Sequence, residues 1–187
     1  MSFTTDKLAA SRNDVLIRRP RRADGMAVNE LIAHSPPLDA NSLYCNLLQC
    51  THFADTSAVA ECCGKIVGFA SGYLVPNKAC TLFIWQIAVA EESRRQSIAR
   101  SLILDIWGRH CCSEAQWIES TIGLENGASW TLFEKIARDL GAKTKREVMF
   151  DGELDFGGRH GSEIKLSIGP ILRDRTRQQL AAREGAS

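Results

Sequence analysis

A short polar loop in the middle of the chain carries the residue types that bind phosphate. Residues 91–100 read EESRRQSIAR, so Arg94 and Arg95 come just before an apolar run that begins near Ser97. Two guanidinium groups and the free amide groups of a helix start can together hold an anionic pyrophosphate. A solvated surface turn can have the same composition, so the loop alone leaves both interpretations open.

The loop needs a strand before it and a helix after it, and the sequence supplies both patterns. A strand is predicted over residues 81–90 and a helix over 97–111, with Ile98, Leu102, Ile103 and Ile106 on its buried face. A further strand at 117–122 precedes a helix over 126–140 that Gly141 closes. This strand–loop–helix order predicts a parallel crossover in the middle of the fold.

The remaining segments surround this unit. Strands are predicted at 15–18, 57–62, 66–74, 147–150 and 163–168, with a hairpin turn at Gly64. Helices are predicted over 23–33 and 41–50, separated by Pro36-Pro37, and the second has Asp39 or Asn41 as its N-cap. The predicted fold is α/β of the α+β type: a mixed, mostly antiparallel sheet with a central parallel crossover and helices on both faces.

Length and composition indicate one domain. The chain has 187 residues, of which 44% are hydrophobic, enough to bury a proper core. We expect a disordered lead-in at residues 1–13, a single domain at 14–172 and a charged tail at 173–187.

Charge and hydropathy exclude several partners. A net charge of +1 provides no basic field for a nucleic acid, and the arginines at 18–22 are read as a solvated strand edge. No apolar run is long enough to span a bilayer, so no membrane partner is expected. The polar N-terminus lacks the features of a secretory signal, and we expect a cytoplasmic protein.

Seven cysteines do not form a metal-binding pattern. They include the adjacent pairs Cys62-Cys63 and Cys111-Cys112, and no CxxC spacing occurs. We therefore expect buried, reduced thiols and no metal.

The central loop resembles the diphosphate-binding signature of the GCN5-related N-acetyltransferases, Arg/Gln-x-x-Gly-x-Gly/Ala after an apolar strand. Here it reads Arg94-Arg95-Gln96-Ser97-Ile98-Ala99, with Ser97 in place of the first glycine. The resemblance implies acetyl-CoA as co-substrate. It also implies that backbone amides of Ile87, Ala88 and Val89 bind the thioester end.

A second segment, residues 126–135, resembles the part of that family that contacts the pantetheine arm. The resemblance makes Asn126, Ser129 and Phe133 cofactor-binding residues. Members of the family often have tyrosine where Phe133 stands, as the acid that protonates the leaving thiolate. Phe133 has no proton to give, so another residue or water must do so.

Within the superfamily the chain resembles the L-2,4-diaminobutyrate acetyltransferases of ectoine biosynthesis. Six segments carry this resemblance: residues 36–44, 50–56, 68–73 and 81–89, the central loop at 91–100, and the pair His160-x-x-Glu163. They imply transfer of an acetyl group from acetyl-CoA to the side-chain amine of diaminobutyrate, on the way to a compatible solute. Asp39, Tyr44, Trp85 and Glu163 are then the substrate-binding residues, with His160 nearby. A homodimer is expected by the same resemblance.

The expected chemistry is direct attack in a ternary complex. The attacking ammonium must lose a proton, which costs about 4 kcal/mol at pH 7. Glu163 or His160 could accept that proton, and Tyr44 could orient the amine or protonate the thiolate. Two alternatives stay open at this point: an acetyltransferase for another diamino acid or a polyamine, and a non-catalytic acyl-CoA-binding domain.

Overall fold

One seven-stranded sheet organises the protein. The computed structural model describes residues 15–36, 38 and 41–172; the predicted lead-in, the predicted tail and Asp39 lie outside them. The strands are β1 (Leu16–Arg18), β2 (Ala58–Cys62), β3 (Lys65–Val75), β4 (Lys78–Val89), β5 (Trp117–Gly123), β6 (Thr144–Phe150) and β7 (Glu163–Ile168). They lie side by side in the order β1-β2-β3-β4-β5-β7-β6. Only β4 and β5 are parallel among these pairs, which confirms the predicted mixed sheet with one crossover.

Among the described residues, four α-helices cover the two faces of the sheet. They are α1 (Gly25–Ala33), α2 (Leu43–Gln49), α3 (Ile98–Gly108) and α4 (Gly127–Asp139). On what we call the rear face, α3 and α4 bury Leu82, Ile84 and Ile118 of the sheet. On the front face, α1 packs Val28 and Ile32 against strands β2 to β4. Helices on both faces were predicted, and this is confirmed.

Several element ends differ from the sequence prediction; strand β6, for example, begins at Thr144 rather than at residue 147. Helix α2 begins at Leu43, and its N-cap is Ser42, whose hydroxyl accepts from the amide of Cys45 at 3.2 Å; neither Asp39 nor Asn41 is the cap. Helix α3 ends at Gly108 rather than residue 111. Arg109 is extended there, and its guanidinium donates to the carbonyls of Ala54, Asp55 and Ser57, so a longer helix would lose these bonds.

Strand β4 starts three residues before the predicted start. The turn at Pro76-Asn77 is tight, with Asn77 at φ 63°, and pairing runs up to Val75 opposite Lys78. Strands β3 and β4 therefore form a long hairpin down the centre of the sheet.

Strand β4 contains the irregularity that shapes the site. Ser71 pairs with Gln86 and Gly72 with Ile84, so Trp85 is an extra residue in a β-bulge. A Cβ on Gly72 would lie 2.6 Å from the carbonyl oxygen of Phe83, so only glycine allows this close approach. Pairing between β4 and β5 covers only Thr81–Phe83, after which β4 continues alone on that side.

Cysteine burial differs from the expectation. Cys50 and Cys112 are buried, but Cys63 and Cys80 are exposed, and none of the seven cysteines, all of which lie among the described residues, forms a disulfide. Cys63 is exposed because it lies in the turn between β2 and β3 at φ 51°.

Among the described residues, no helix is long and apolar enough to cross a membrane.

Candidate active site

A cavity of about 710 Å³ lies where β4 continues past the end of its pairing with β5. Its walls come from the end of β4, the loop into α3, the first turns of α3 and α4, and the segment after α1. Ten of the predicted cofactor-binding residues line it: Ile87, Ala88, Val89, Arg94, Arg95, Ser97, Ile98, Ala99, Asn126 and Ser129. The fold brings them together from two segments that are about 30 residues apart along the chain. That they bind a cofactor stays a prediction.

The loop into α3 takes a tightly turned backbone. Arg95 has φ 62° and Ser97 has φ 60°, both in the left-handed region. Ser97 is the N-cap of α3, yet its side chain makes no capping hydrogen bond. The first amides of α3 therefore have no capping side chain, and with Arg94 and Arg95 beside them they suit a pyrophosphate.

Helix α4 begins with a capping asparagine. The side-chain oxygen of Asn126 accepts from the amide of Ser129 at 3.1 Å. Because the oxygen is engaged in capping, the NH₂ group is the part of Asn126 that can bind a ligand.

Two predicted cofactor residues lie away from the cavity. Phe133 is only 2% exposed and packs in the rear core rather than lining the cavity, so its role in cofactor binding stays a prediction that the cavity does not support. Gln96 is exposed, and its amide donates to the carbonyl of Glu92 at 3.4 Å rather than lining the cavity.

Several residues that were not predicted from the sequence also line the cavity. Ala128, Thr131, Leu132 and Lys135 form one stripe of α4 that faces the cavity. Their spacing of three, four and seven residues is the helical repeat, so this signal was available in the sequence. Arg100 also lines the cavity, and it is held by an ion pair with the buried carboxylate of Asp139. Lys135 adds positive charge to the arginines of the loop, whereas the charge of Arg100 is balanced by Asp139.

Trp85 lies on the front face rather than in the core. It is 46% exposed because of the bulge, and its ring meets that of Tyr73 edge to face at 6.5 Å. Burial raises the pKa of Tyr73, and the charge of Glu119 adds to that effect. Trp85 is therefore available to a ligand on the front face.

Tyr44 is in the first turn of α2 and is 71% exposed. The segment that precedes it is held against β4 by a hydrogen bond of 2.6 Å from Asn41 to the side chain of Gln86, the neighbour of Trp85. The structure thereby brings the chain around Tyr44 to the part of β4 that carries Trp85. Asp39, the remaining predicted residue of this segment, lies outside the described residues.

Glu163 starts β7 and pairs with Gly123 of β5. Ile118 and Ile122 of β5 face the rear core. Because successive side chains of a strand point to opposite faces of the sheet, Gly123 and its pairing partner Glu163 lie on the front face, where Trp85 also lies. The carboxylate of Glu163 lies over Gly123, 3.8 Å from where a Cβ would stand.

His160 is in the loop before β7, and its ring is exposed. Its Nδ1 lies 2.8 Å from the carbonyl oxygen of Gly161, and its ring packs on Phe156 at 4.9 Å. These contacts tie His160 to its own loop, whereas Glu163 is fixed by the sheet. In the part of the chain that the structure describes, no three His, Cys, Asp or Glu side chains are grouped as metal ligands.

Comparison with known proteins supports this geometry. Residues 27–137 match the Acetyltransferase (GNAT) family. The chain is 40% identical to the L-2,4-diaminobutyric acid acetyltransferase of Methylotuvimicrobium alcaliphilum over 157 residues, which is 84% of this chain and 91% of that protein. Its counterpart from Streptomyces coelicolor is 39% identical, over 88% of this chain and 98% of that one.

A solved structure agrees with these relatives. The diaminobutyrate acetyltransferase EctA from Paenibacillus lautus, in complex with its substrate L-2,4-diaminobutyric acid and coenzyme A, superposes with a TM-score of 0.82 at 38% identity. The match covers 85% of this chain and 96% of that one. The resemblance read from the sequence is thus confirmed: this chain belongs to the GNAT acetyltransferases and, within them, to the L-2,4-diaminobutyric acid acetyltransferases.

Proposed function

We propose that this protein transfers the acetyl group of acetyl-CoA to the side-chain amine of L-2,4-diaminobutyrate, a step of ectoine biosynthesis. The observation that carries the proposal is the likeness to EctA from Paenibacillus lautus, which holds its substrate L-2,4-diaminobutyric acid and coenzyme A. The resemblance extends over most of both chains.

The cavity suits acetyl-CoA by size and by charge. Its volume of about 710 Å³ is that of a ligand pocket rather than a packing defect. The pyrophosphate would lie at the start of α3 beside Arg94 and Arg95, with Lys135 across the cavity. The pantetheine arm would run between Asn126 and the end of β4.

The end of β4 is placed to stabilise the reacting thioester. Beyond Phe83, β4 has no pairing with β5, so amides on that edge are available to a ligand. Amides around Ile87 to Val89 would donate to the thioester oxygen as negative charge develops there. The amine attacks the carbonyl carbon directly, and no cysteine intermediate is needed.

Acidic and aromatic groups on the front face suit the acceptor. Diaminobutyrate carries two ammonium groups and one carboxylate, and a carboxylate such as Glu163 can bind an ammonium and then accept its proton. Trp85 and Tyr44 would form the walls of this site, with Asp39 as a second acid. Because Glu163 is fixed on a strand and His160 is tied to its own loop, we assign Glu163 as the base.

We also propose a homodimer and a cytoplasmic location. Edge strand β6 is exposed along its whole length, and Val148, Met149 and Phe150 on it and Leu154 after it leave apolar surface for a second copy. None of the seven cysteines forms a disulfide, which fits a reducing compartment.

The experiment that tests the function is incubation of the protein with acetyl-CoA and L-2,4-diaminobutyrate, with the product identified by mass and NMR. A product acetylated on the side-chain nitrogen is expected. Binding of acetyl-CoA without turnover of diaminobutyrate would overturn the proposal. Turnover of another diamino acid or a polyamine, or of no amine at all, would then identify which of the two alternatives holds.

A further inference from the structure

A chain of buried side-chain amides connects the sheet to helices α1 and α2. Gln49 donates to the hydroxyl of Ser71 at 3.2 Å, and Asn46 donates to Gln49 at 2.8 Å. Asn29 in turn donates to Asn46 at 2.8 Å. Ser71, Asn46 and Gln49 are each at most 1% exposed. The network thus begins on β3 and crosses both helices in the interior of the protein.

The same network continues into the segment that precedes Tyr44. The amide of Asn29 also donates to the backbone carbonyl of Asn41 at 3.1 Å, and the side chain of Asn41 donates to Gln86 at 2.6 Å. Gln86 lies directly opposite Ser71 in the pairing of β3 with β4. The hydrogen bonds therefore form a ring that starts and ends on neighbouring strands.

Packing two helices on a sheet through polar side chains costs the desolvation free energy of those side chains. Each buried amide loses its water, and only a fully bonded network compensates for that loss. Apolar side chains would hold the helices on the sheet without this cost. The network adds direction, because its bonds are satisfied in only one relative placement of helices and strands.

Asn41 is held at both its backbone and its side chain. Its carbonyl is fixed by Asn29 on α1, and its side chain is fixed by Gln86 on β4. It lies three residues before Tyr44, and Gln86 immediately follows Trp85. The two bonded residues therefore adjoin two of the residues assigned to the acceptor.

We propose that the Asn41–Gln86 hydrogen bond is a clamp that positions the acceptor-binding segment around Tyr44 against Trp85. Asn41, Gln86 and Asn29 are positioning residues, since they act through Tyr44 and Trp85 rather than on the reacting atoms. The proposal deepens the proposed function and rests on its assignment of the acceptor site to the front face.

The kinetic test compares Asn41→Ala, Gln86→Ala and the double variant. Loss of one such bond corresponds to about a three- to tenfold change in an equilibrium. We expect KM for the acceptor to rise by about this factor in each single variant, while KM for acetyl-CoA changes less than twofold. The double variant is expected to be no worse than the poorer single one, because both remove the same bond. Gln116→Ala, an exposed glutamine outside the ring, is the matched control and should change neither constant.

A second measurement separates the clamp from the identity of the acceptor. Hydrogen exchange of the full-length wild type and Asn41→Ala is followed in peptides from α2 and from α4. Faster exchange across residues 42–50, with α4 unchanged, is expected. Unchanged exchange in α2, or an equal rise of both KM values, overturns the clamp. Failure of the wild type to acetylate diaminobutyrate would instead overturn the proposed function, and the exchange result would still decide on the clamp.

Discussion

Ser97 holds a left-handed backbone at φ 60° where α3 begins, a conformation that costs a non-glycine residue about 1–2 kcal/mol. We expect Ser97→Gly to raise the free energy of unfolding by about 1 kcal/mol and to bind coenzyme A at least as tightly as the wild type. Urea unfolding and calorimetric titration measure the two quantities. Ser93→Gly in the preceding turn, where φ is not positive, is the control and should be neutral or destabilising. A loss of stability in Ser97→Gly would contradict the strain assigned to this position.

Glu163 and His160 differ in how firmly the structure holds them, and this difference predicts unequal roles. We expect Glu163→Gln to lower kcat by about 10²–10⁴-fold, the range for loss of a general base, with KM for acetyl-CoA unchanged. His160→Gln should lower kcat by less than tenfold. Steady-state kinetics with both substrates varied in turn tests both predictions. A larger loss in His160→Gln would reverse the two assignments.

The elements were mostly predictable because apolar periodicity is a local signal. Strand β5 and helix α4, for example, lie within one or two residues of the ranges expected from alternation and helical spacing. Contacts between distant segments were not predictable. The end of α3 depends on carbonyl groups more than 50 residues earlier, and the bulge at Trp85 depends on the close approach of Gly72 to the neighbouring strand.

Contacts with distant residues also decide the environment of the arginines at 18–22, and these contacts could not be predicted from the local sequence. These arginines were read as a solvated edge, but Arg18 is only 17% exposed and binds Asp24 at 2.8 Å and Glu61 at 2.8 Å. The hydrogen bonds from Arg18 hold the pKa of Asp24 below its ordinary value. This cluster ties β1 to β2 and to the turn that leads into α1.

Asp24→Asn should therefore weaken the start of the fold in a pH-dependent way. Because the folded-state pKa is depressed, the stabilisation is present above about pH 4 and is lost as pH falls through the folded-state pKa. We expect a loss of about 2 kcal/mol at pH 7 that shrinks below pH 4. Urea unfolding across pH 3–7 measures it. Asp55→Asn removes the exposed pair with Arg19 and should cost less than about 1 kcal/mol; an equal cost in both variants would refute the role of burial.

At the scale of the whole molecule, the two halves of the site differ in how far sequence could define them. The cofactor side is built from two compact segments, each with a local pattern, and ten of its predicted residues share one cavity. The residues predicted to bind the acceptor come singly from α2, the bulge of β4 and the start of β7. No spacing in the local sequence links Tyr44, Trp85 and Glu163. Only the resemblance to the acetyltransferase family predicted that these three residues share one site.

The two edges of the sheet allow a matched test of self-association. Val148 on β6 is 60% exposed and Leu16 on β1 is 57% exposed, so they are similar apolar side chains on opposite edge strands. Apolar neighbours accompany Val148, since Met149, Phe150 and Leu154 are exposed beside it or just after it. A charge placed in that patch would be buried without a partner in a dimer that uses it.

We expect the wild type to have twice the 20.6 kDa mass of one chain by light scattering after size-exclusion chromatography. Val148→Glu should shift the protein to the mass of one chain, whereas Leu16→Glu should leave the mass unchanged. Circular dichroism of both variants checks that each is folded, because both substitutions are at exposed positions and should not disturb the core. Dissociation by Leu16→Glu alone would move the interface to the opposite edge. A wild type with the mass of one chain would mean that the apolar patch on β6 does not hold a second copy.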